Sequence, residues 1–187
     1  NRLGCDYGTI KKINPSIIYC SISGYGQTGP YKDLVGHDVN YISIGGALGL
    51  IGSEDGRPSI PYNIIADFAA GGMNAAFSIV CALFSRTNTG EGQQIDISMS
   101  DGVTYLLSSI SGEYFRSGTV PRPGQMTLNG GVPYYNVFEC EDGRYISLGC
   151  IEPNFWRNLC LTLGLNKFSD SQHDTEKYAE ILGGYTY

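Results

Sequence analysis

The sequence predicts an α/β fold, on three observations. Short runs rich in β-branched residues alternate with longer helical patterns, at residues 16–22, 67–86 and 93–99 in turn. Each run is bounded by glycine, proline or asparagine, the residues that interrupt regular structure. With 187 residues and 42% hydrophobic content, the chain can bury a core and form one or two ordinary domains.

Residues 16–22 follow Asn14-Pro15 and end in Gly24-Tyr25-Gly26-Gln27-Thr28-Gly29-Pro30, so they read as a buried strand leading into a loop. Residues 38–48 are apolar with Asn40, Tyr41 and Ser43 interspersed, and predict a short helix whose first turn sits at His37. Residues 52–61 hold Glu54-Asp55-Gly56-Arg57-Pro58, which is turn chemistry. The clearest helix is 67–86, with Asp67 as N-cap, apolar Phe68, Ala75, Ala76, Ile79, Val80 and Phe84, and Arg86 near its end. Gly71-Gly72 in its first turns would admit close approach by a strand or ligand.

Residues 93–99 alternate polar and apolar, as a strand with one buried face does, and Asp101 is expected to cap a helix running to Arg116. Residues 117–133 carry Gly118, Pro121, Pro123, Gly124, Gly130, Gly131 and Pro133, the composition of a linker or long functional loop. Beyond it, 134–140 and 144–150 flank Glu141-Asp142-Gly143 as a hairpin, and Pro153 opens a helix through Trp156, Leu159 and Leu163. The expected division is a large α/β domain over 1–118, a linker over 119–133 and the start of a smaller domain over 134–187. The chain begins at Asn1 and closes on 181–187 without a clear final element, so a piece of a longer protein is expected.

Twelve Lys+Arg against 18 Asp+Glu give a formal charge of -6, which offers no basic face for a phosphate backbone and argues against nucleic acid as partner. The longest apolar run, 75–84, is too short to cross a bilayer, so no membrane span and a cytosolic or organelle-matrix setting are expected. Cys5, Cys20, Cys81, Cys140, Cys150 and Cys160 show no CxxC spacing and are expected as buried reduced thiols, with no metal site.

Two residues stand out chemically. His37, between Gly36 and Asp38, sits where a loop meets a helix, and histidine is the residue type most used for acid/base work at neutral pH. Asp67 opens a helix in an apolar setting made by Ile64, Ile65, Ala66, Ala69 and Ala70. Such a pair suits proton abstraction beside a carbonyl, although a structural histidine and a plain N-cap aspartate account for the same pattern. His173 lies in the polar stretch 169–174 and reads as solvated loop. Gly24-Tyr25-Gly26-Gln27-Thr28-Gly29 matches the bare GxGxxG spacing, but Pro30-Tyr31-Lys32 is a poor helix opening, and there is no Walker lysine, HExxH or GxSxG. Fourteen tyrosines could line a binding surface or simply pack.

The segments SGYGQTGP, GHDVNYISIGGALGLIG, NIIADFAAGGM, GEGQQIDISMSDG and GGVPYYNVFECEDGRYISLGCIEPNFW together resemble the α-methylacyl-CoA racemase branch of the class III (CaiB/BaiF) CoA-transferase superfamily. The resemblance runs from about Pro15 to Leu165. It implies a Rossmann-like large domain, a smaller second domain, an intertwined homodimer, an acyl-CoA substrate, and no cofactor beyond the CoA moiety of that substrate. It assigns His37 and Asp67 as the two acid/base residues, Glu152 of the IEP motif as the partner that orients His37, and Asp38 as a supporting residue. Gly36, His37, Asp38, Tyr41, Asn63 and Asp67 are then the candidates for contact with the CoA thioester.

Inverting a carbon beside a thioester needs one group to take the α-proton from one face and another to return it to the opposite face, which a His/Asp pair supplies. Backbone N–H groups from Asp67 to Ala70 are the expected donors to the enolate oxygen. Relatives that transfer CoA use the equivalent aspartate as a nucleophile and typically lack the histidine, so a transferase acting through Asp67 is the alternative. The resemblance excludes the N-terminal part in which the family grips the CoA phosphates and the C-terminal return to the large domain. A catalytically inactive piece with an open sheet edge is therefore a further alternative.

Overall fold

Two compact units make up the chain in the computed structural model, which describes residues 3–185: Asn1–Gly49 with Ser59–Thr119, and Leu50–Pro58 with Val120–Tyr187. Expectations about Asn1, Thr186 and Tyr187 lie outside the described residues.

The first unit opens with a helix the sequence reading did not anticipate, α1 (Tyr7–Ile13), capped by Asp6, whose carboxylate accepts the Thr9 N–H at 3.1 Å. The strand β1 (Ile18–Ser23) pairs in parallel with β2 (Gln93–Ser98), Ile18 opposite Gln93 and Ser23 opposite Ser98. Parallel strands require a crossover. Here it contains α2 (Asp38–Ile44), a π-helix (Ile64–Met73) and, continuous with it, α3 (Asn74–Thr89). Arg86 near the end of α3 donates to the Ser16 carbonyl at 3.0 Å, fixing the helix to the entry of β1.

Two helix starts differ from the expectation. The long helix begins at Ile64, so Asp67 lies within its first turn rather than at its N-cap. The next, α4 (Met99–Leu106), is capped by Ser98, whose hydroxyl accepts the Asp101 N–H at 3.2 Å. It ends at Leu107, after which α5 (Ser108–Ser117) begins, so the single helix expected from Asp101 is two. At α4 the capping hydroxyl precedes the acid that the local pattern favoured.

Tyr41, Ile42, Ala47, Ala66, Ala70 and Val103 form the core of this unit, with Tyr25, Leu48, Ile65, Met99 and Leu107 packed around them. The π-helix and α4 meet backbone to backbone: a Cβ on Gly102 would lie 2.8 Å from the Ala70 Cβ, closer than packed carbons come.

The continuous helix Ile64–Thr89 has 26 residues and a hydropathy of 1.6, with 22% of that apolar window buried. By length and composition it could cross a bilayer, contrary to the expectation from the run 75–84. The difference arises because Gly71, Gly72 and Asn74 interrupt the apolar run without interrupting the helix. Ile64, Phe68, Met73, Phe77, Val80 and Phe84 are exposed along it.

In the second unit, β3 (Tyr135–Glu139) and β4 (Tyr145–Gly149) form the expected antiparallel hairpin, with Glu139 opposite Tyr145. Glu152 is the N-cap residue of α6 (Pro153–Thr162), and a second unanticipated helix, α7 (Tyr178–Gly183), follows. Tyr134, Trp156, Cys160, Phe168 and Ile181 make the core, and the Trp156 indole donates to the Phe168 carbonyl at 3.0 Å. The 50–58 loop joins this unit through Gln125, which donates to Glu54 at 2.9 Å, and Asn129, which donates to the Leu50 carbonyl at 3.5 Å. Residues 120–133, read as linker, are thus part of the second unit and contain a 3₁₀ turn at Thr127–Asn129. All six cysteines are free, but only Cys160 is buried; Cys5, Cys81 and Cys140 are exposed, which corrects the expectation of buried thiols.

Candidate active site

A glycine-flanked tyrosine sets the floor of the site. Tyr41, on the first turns of α2, is buried, and its hydroxyl donates to the Gly36 carbonyl. The ring of Tyr25 meets Tyr41 edge-on, with centroids 5.2 Å apart. A Cβ at Gly24 would sit 2.1 Å from the Tyr41 ring and one at Gly36 would sit 2.8 Å from it, so both glycines are demanded by this packing. The loop that follows is held by Asp96 of β2, which accepts the Gln27 N–H at 2.8 Å. Burial, then the neighbouring Tyr25 and Asp67, push the Tyr41 hydroxyl above its ordinary pKa.

His37 is the N-cap residue of α2 and is exposed; its backbone N–H donates to the Asn40 side chain at 3.0 Å. Asp38, one residue on, is buried at 4% exposure. Its Oδ2 accepts the N–H groups of Ala66 at 2.8 Å and Asp67 at 2.9 Å, two of the donors that a helix start leaves unpaired. Its Oδ1 is buried without a partner among the described residues. Asp38 is therefore the cap that the sequence reading assigned to Asp67, supplied from a different element.

Through this bridge the structure brings His37, Asp38 and Asp67 into one neighbourhood. Asp67 is half-buried and its carboxylate accepts from Asn63 at 3.1 Å. Tyr62, just before Asn63, has φ 60, in the left-handed region that an aromatic residue rarely adopts. A strained backbone there costs on the order of 1–3 kcal/mol and persists only where its surroundings enforce it.

Most of the N–H groups expected as enolate donors are already committed. Asp67 N–H is held by Asp38, and those of Ala69 and Ala70 serve the i→i+5 ladder of the π-helix. Glu152 lies in the second unit, where its carbonyl accepts the N–H groups of Phe155 and Trp156 at 3.0 and 3.1 Å. His173 is exposed as expected, yet its Nδ1 lies 3.2 Å from the Tyr134 hydroxyl. Sequence reasoning missed Tyr25, whose one signal was its place between two glycines in the loop after β1.

Residues 1–181 match CoA-transferase family III. The chain belongs to that family. It is 42% identical over 157 residues to the α-methylacyl-CoA racemase of Homo sapiens, covering 83% of this chain and 41% of the relative. It is 34% identical over 181 residues to the succinate–glutarate CoA-transferase of Agrobacterium fabrum, covering 96% of this chain and 44% of that one. A CaiB/BaiF family protein from Brucella suis superposes with a TM-score of 0.73 at 31% identity, over 95% of this chain and 45% of that structure. The α/β architecture is that of the CaiB/BaiF proteins, and this family III chain spans less than half the length of each of these three.

Proposed function

We propose that this family III chain carries the acid/base site of a 2-methylacyl-CoA racemase. The observation that carries the reading is the Asp38 bridge, which ties the backbone at His37 to the backbone at Asp67. Two acid/base groups of different type would then flank one position, as inversion at a carbon beside a thioester demands. One of the pair removes the α-proton and the other returns a proton to the opposite face, the roles reversing with the direction of reaction. Glu152 is proposed as a supporting residue of the same chemistry.

The enolate formed between the two transfers needs donors at its oxygen. With Asp67, Ala69 and Ala70 committed, the N–H groups of Asp38 and Val39 at the start of α2, for which no protein partner is found among the described residues, are the proposed donors. They lie beside His37, so the acid/base group and the oxyanion donors would come from one turn. The CoA moiety enters as part of the substrate, with Gly36, Tyr41 and Asn63 among its proposed contacts. The intertwined homodimer and the matrix or cytosolic setting belong to the same proposal.

Similarity to the succinate–glutarate CoA-transferase over 96% of this chain supports a second reading, in which Asp67 attacks an acyl-CoA to form a mixed anhydride and CoA thiolate, the thiolate attacks the aspartyl carbonyl to give an aspartyl thioester and release the first acid, and the same steps in reverse pass CoA to a second acid. Two assays on a full-length polypeptide carrying this sequence separate them. Deuterium entry at the α-carbon of a 2-methylacyl-CoA in heavy water, without CoA passing to an added carboxylic acid, is expected. CoA transfer that survives His37→Ala, with no α-deuteration, would establish the transferase instead.

A further inference from the structure

Gln172 lies in the polar stretch that reads as solvated loop, yet its side chain is 5% exposed. Its amide nitrogen donates to the Cys150 carbonyl at 2.9 Å and to the Ile151 carbonyl at 2.7 Å, the two residues directly before Glu152. A buried amide that commits both N–H groups to two successive carbonyls holds that backbone firmly, since withdrawing it leaves two acceptors desolvated and unpaired. The same turn is held from the other side, where Cys150 N–H donates to the Tyr134 carbonyl at 2.8 Å. The turn ends at the N-cap residue of α6, so its path fixes where Glu152 leaves the backbone.

We propose that Gln172 is a positioning residue for Glu152, acting through the 150–151 carbonyls; its catalytic consequence rests on the racemase reading, in which Glu152 is a supporting residue. Nothing in local sequence pattern joins residue 172 to residue 152, because the contact spans a helix and a 3₁₀ turn.

The test uses Gln172→Met and Gln172→Glu in a full-length polypeptide carrying this sequence, each alone and combined with Glu152→Gln. Far-UV circular dichroism reports whether each variant is folded. Should Gln172→Met fail to fold, Gln172→Glu, which keeps the shape but sets carboxylate oxygens against the two carbonyls, is read in its place. Amide hydrogen exchange at Phe155 and Trp156, whose N–H groups bond to the Glu152 carbonyl, is expected to quicken at least about 10-fold while the last turn of α6 is unchanged. Substrate α-proton exchange is expected to slow at least about 10-fold, with its pH profile displaced as Glu152→Gln displaces it. The double variant should be no slower than Glu152→Gln alone.

Unchanged amide protection overturns the proposal whatever the activity. Independent, multiplicative losses in the double variant overturn it while the racemase reading stands. An unsubstituted protein that exchanges no α-proton overturns the racemase reading, and with it the catalytic consequence, leaving amide protection to decide whether Gln172 fixes the turn.

Discussion

Asp38 does the work that local reasoning gave to Asp67. A carboxylate 28 residues before Ala66 in sequence reaches the start of the π-helix, and no window of neighbouring residues contains that information. The GHD and ADF segments were legible as chemistry, but which acid caps and which is left half-buried with Asn63 depended on a tertiary contact. Asp38→Ala should cost about 1–3 kcal/mol, because two N–H groups at the helix start lose their acceptor. Asp38→Asn keeps an acceptor for both and should retain most of that stability in urea unfolding; equal losses in the two variants would remove the capping account. Gly24→Ala should cost about 1–3 kcal/mol by driving a methyl into the Tyr41 ring, read in the same way.

At the level of elements, strands, the hairpin turn and the helix after Pro153 follow from period and punctuation, and the structure has them within a residue or two. The π-helix does not follow from any such pattern. Its wide ladder is recognisable only through its packing on α4, where Ala70 faces Gly102. Gly102→Ala should therefore destabilise the unit by about 1–3 kcal/mol, whereas Gly112→Ala on α5, with open space around it, should be neutral or stabilising in the same unfolding measurement.

The second unit makes a pH prediction. Burial, aided by Tyr134, pushes Tyr178 from 10.0 up to about 12, and burial pushes Tyr185 up as well. Both folded values lie above the unfolded one, so the folded state favours the protonated phenols. Their contribution is whole below about pH 10 and is lost as pH rises through about 12. The urea midpoint of the second unit should fall across that window, and less steeply in Tyr178→Phe; a midpoint independent of pH there would contradict the burial of these phenols.

Across the whole chain, the family and its α/β class were legible because matched segments run through both units, whereas the partition was not. Leu50–Pro58 joins residues some seventy positions later through Gln125 and Asn129, a pairing that composition cannot signal. The exposed apolar face from Ile64 to Phe84 predicts that this chain alone self-associates, and that Phe77→Lys with Phe84→Lys reduces the association in light scattering. A monodisperse monomer of the unsubstituted chain would contradict that. His37 and Asp67 are proposed as two different acid/base groups on opposite faces of one carbon. The most direct measurement starts from each single epimer of a 2-methylacyl-CoA in heavy water and follows deuteration and configuration together in the unsubstituted, His37→Ala and Asp67→Ala proteins. Each substitution should abolish inversion, and each should spare α-proton exchange from one epimer, a different epimer for each. Loss of exchange from both epimers in one variant and from neither in the other would contradict a two-base site.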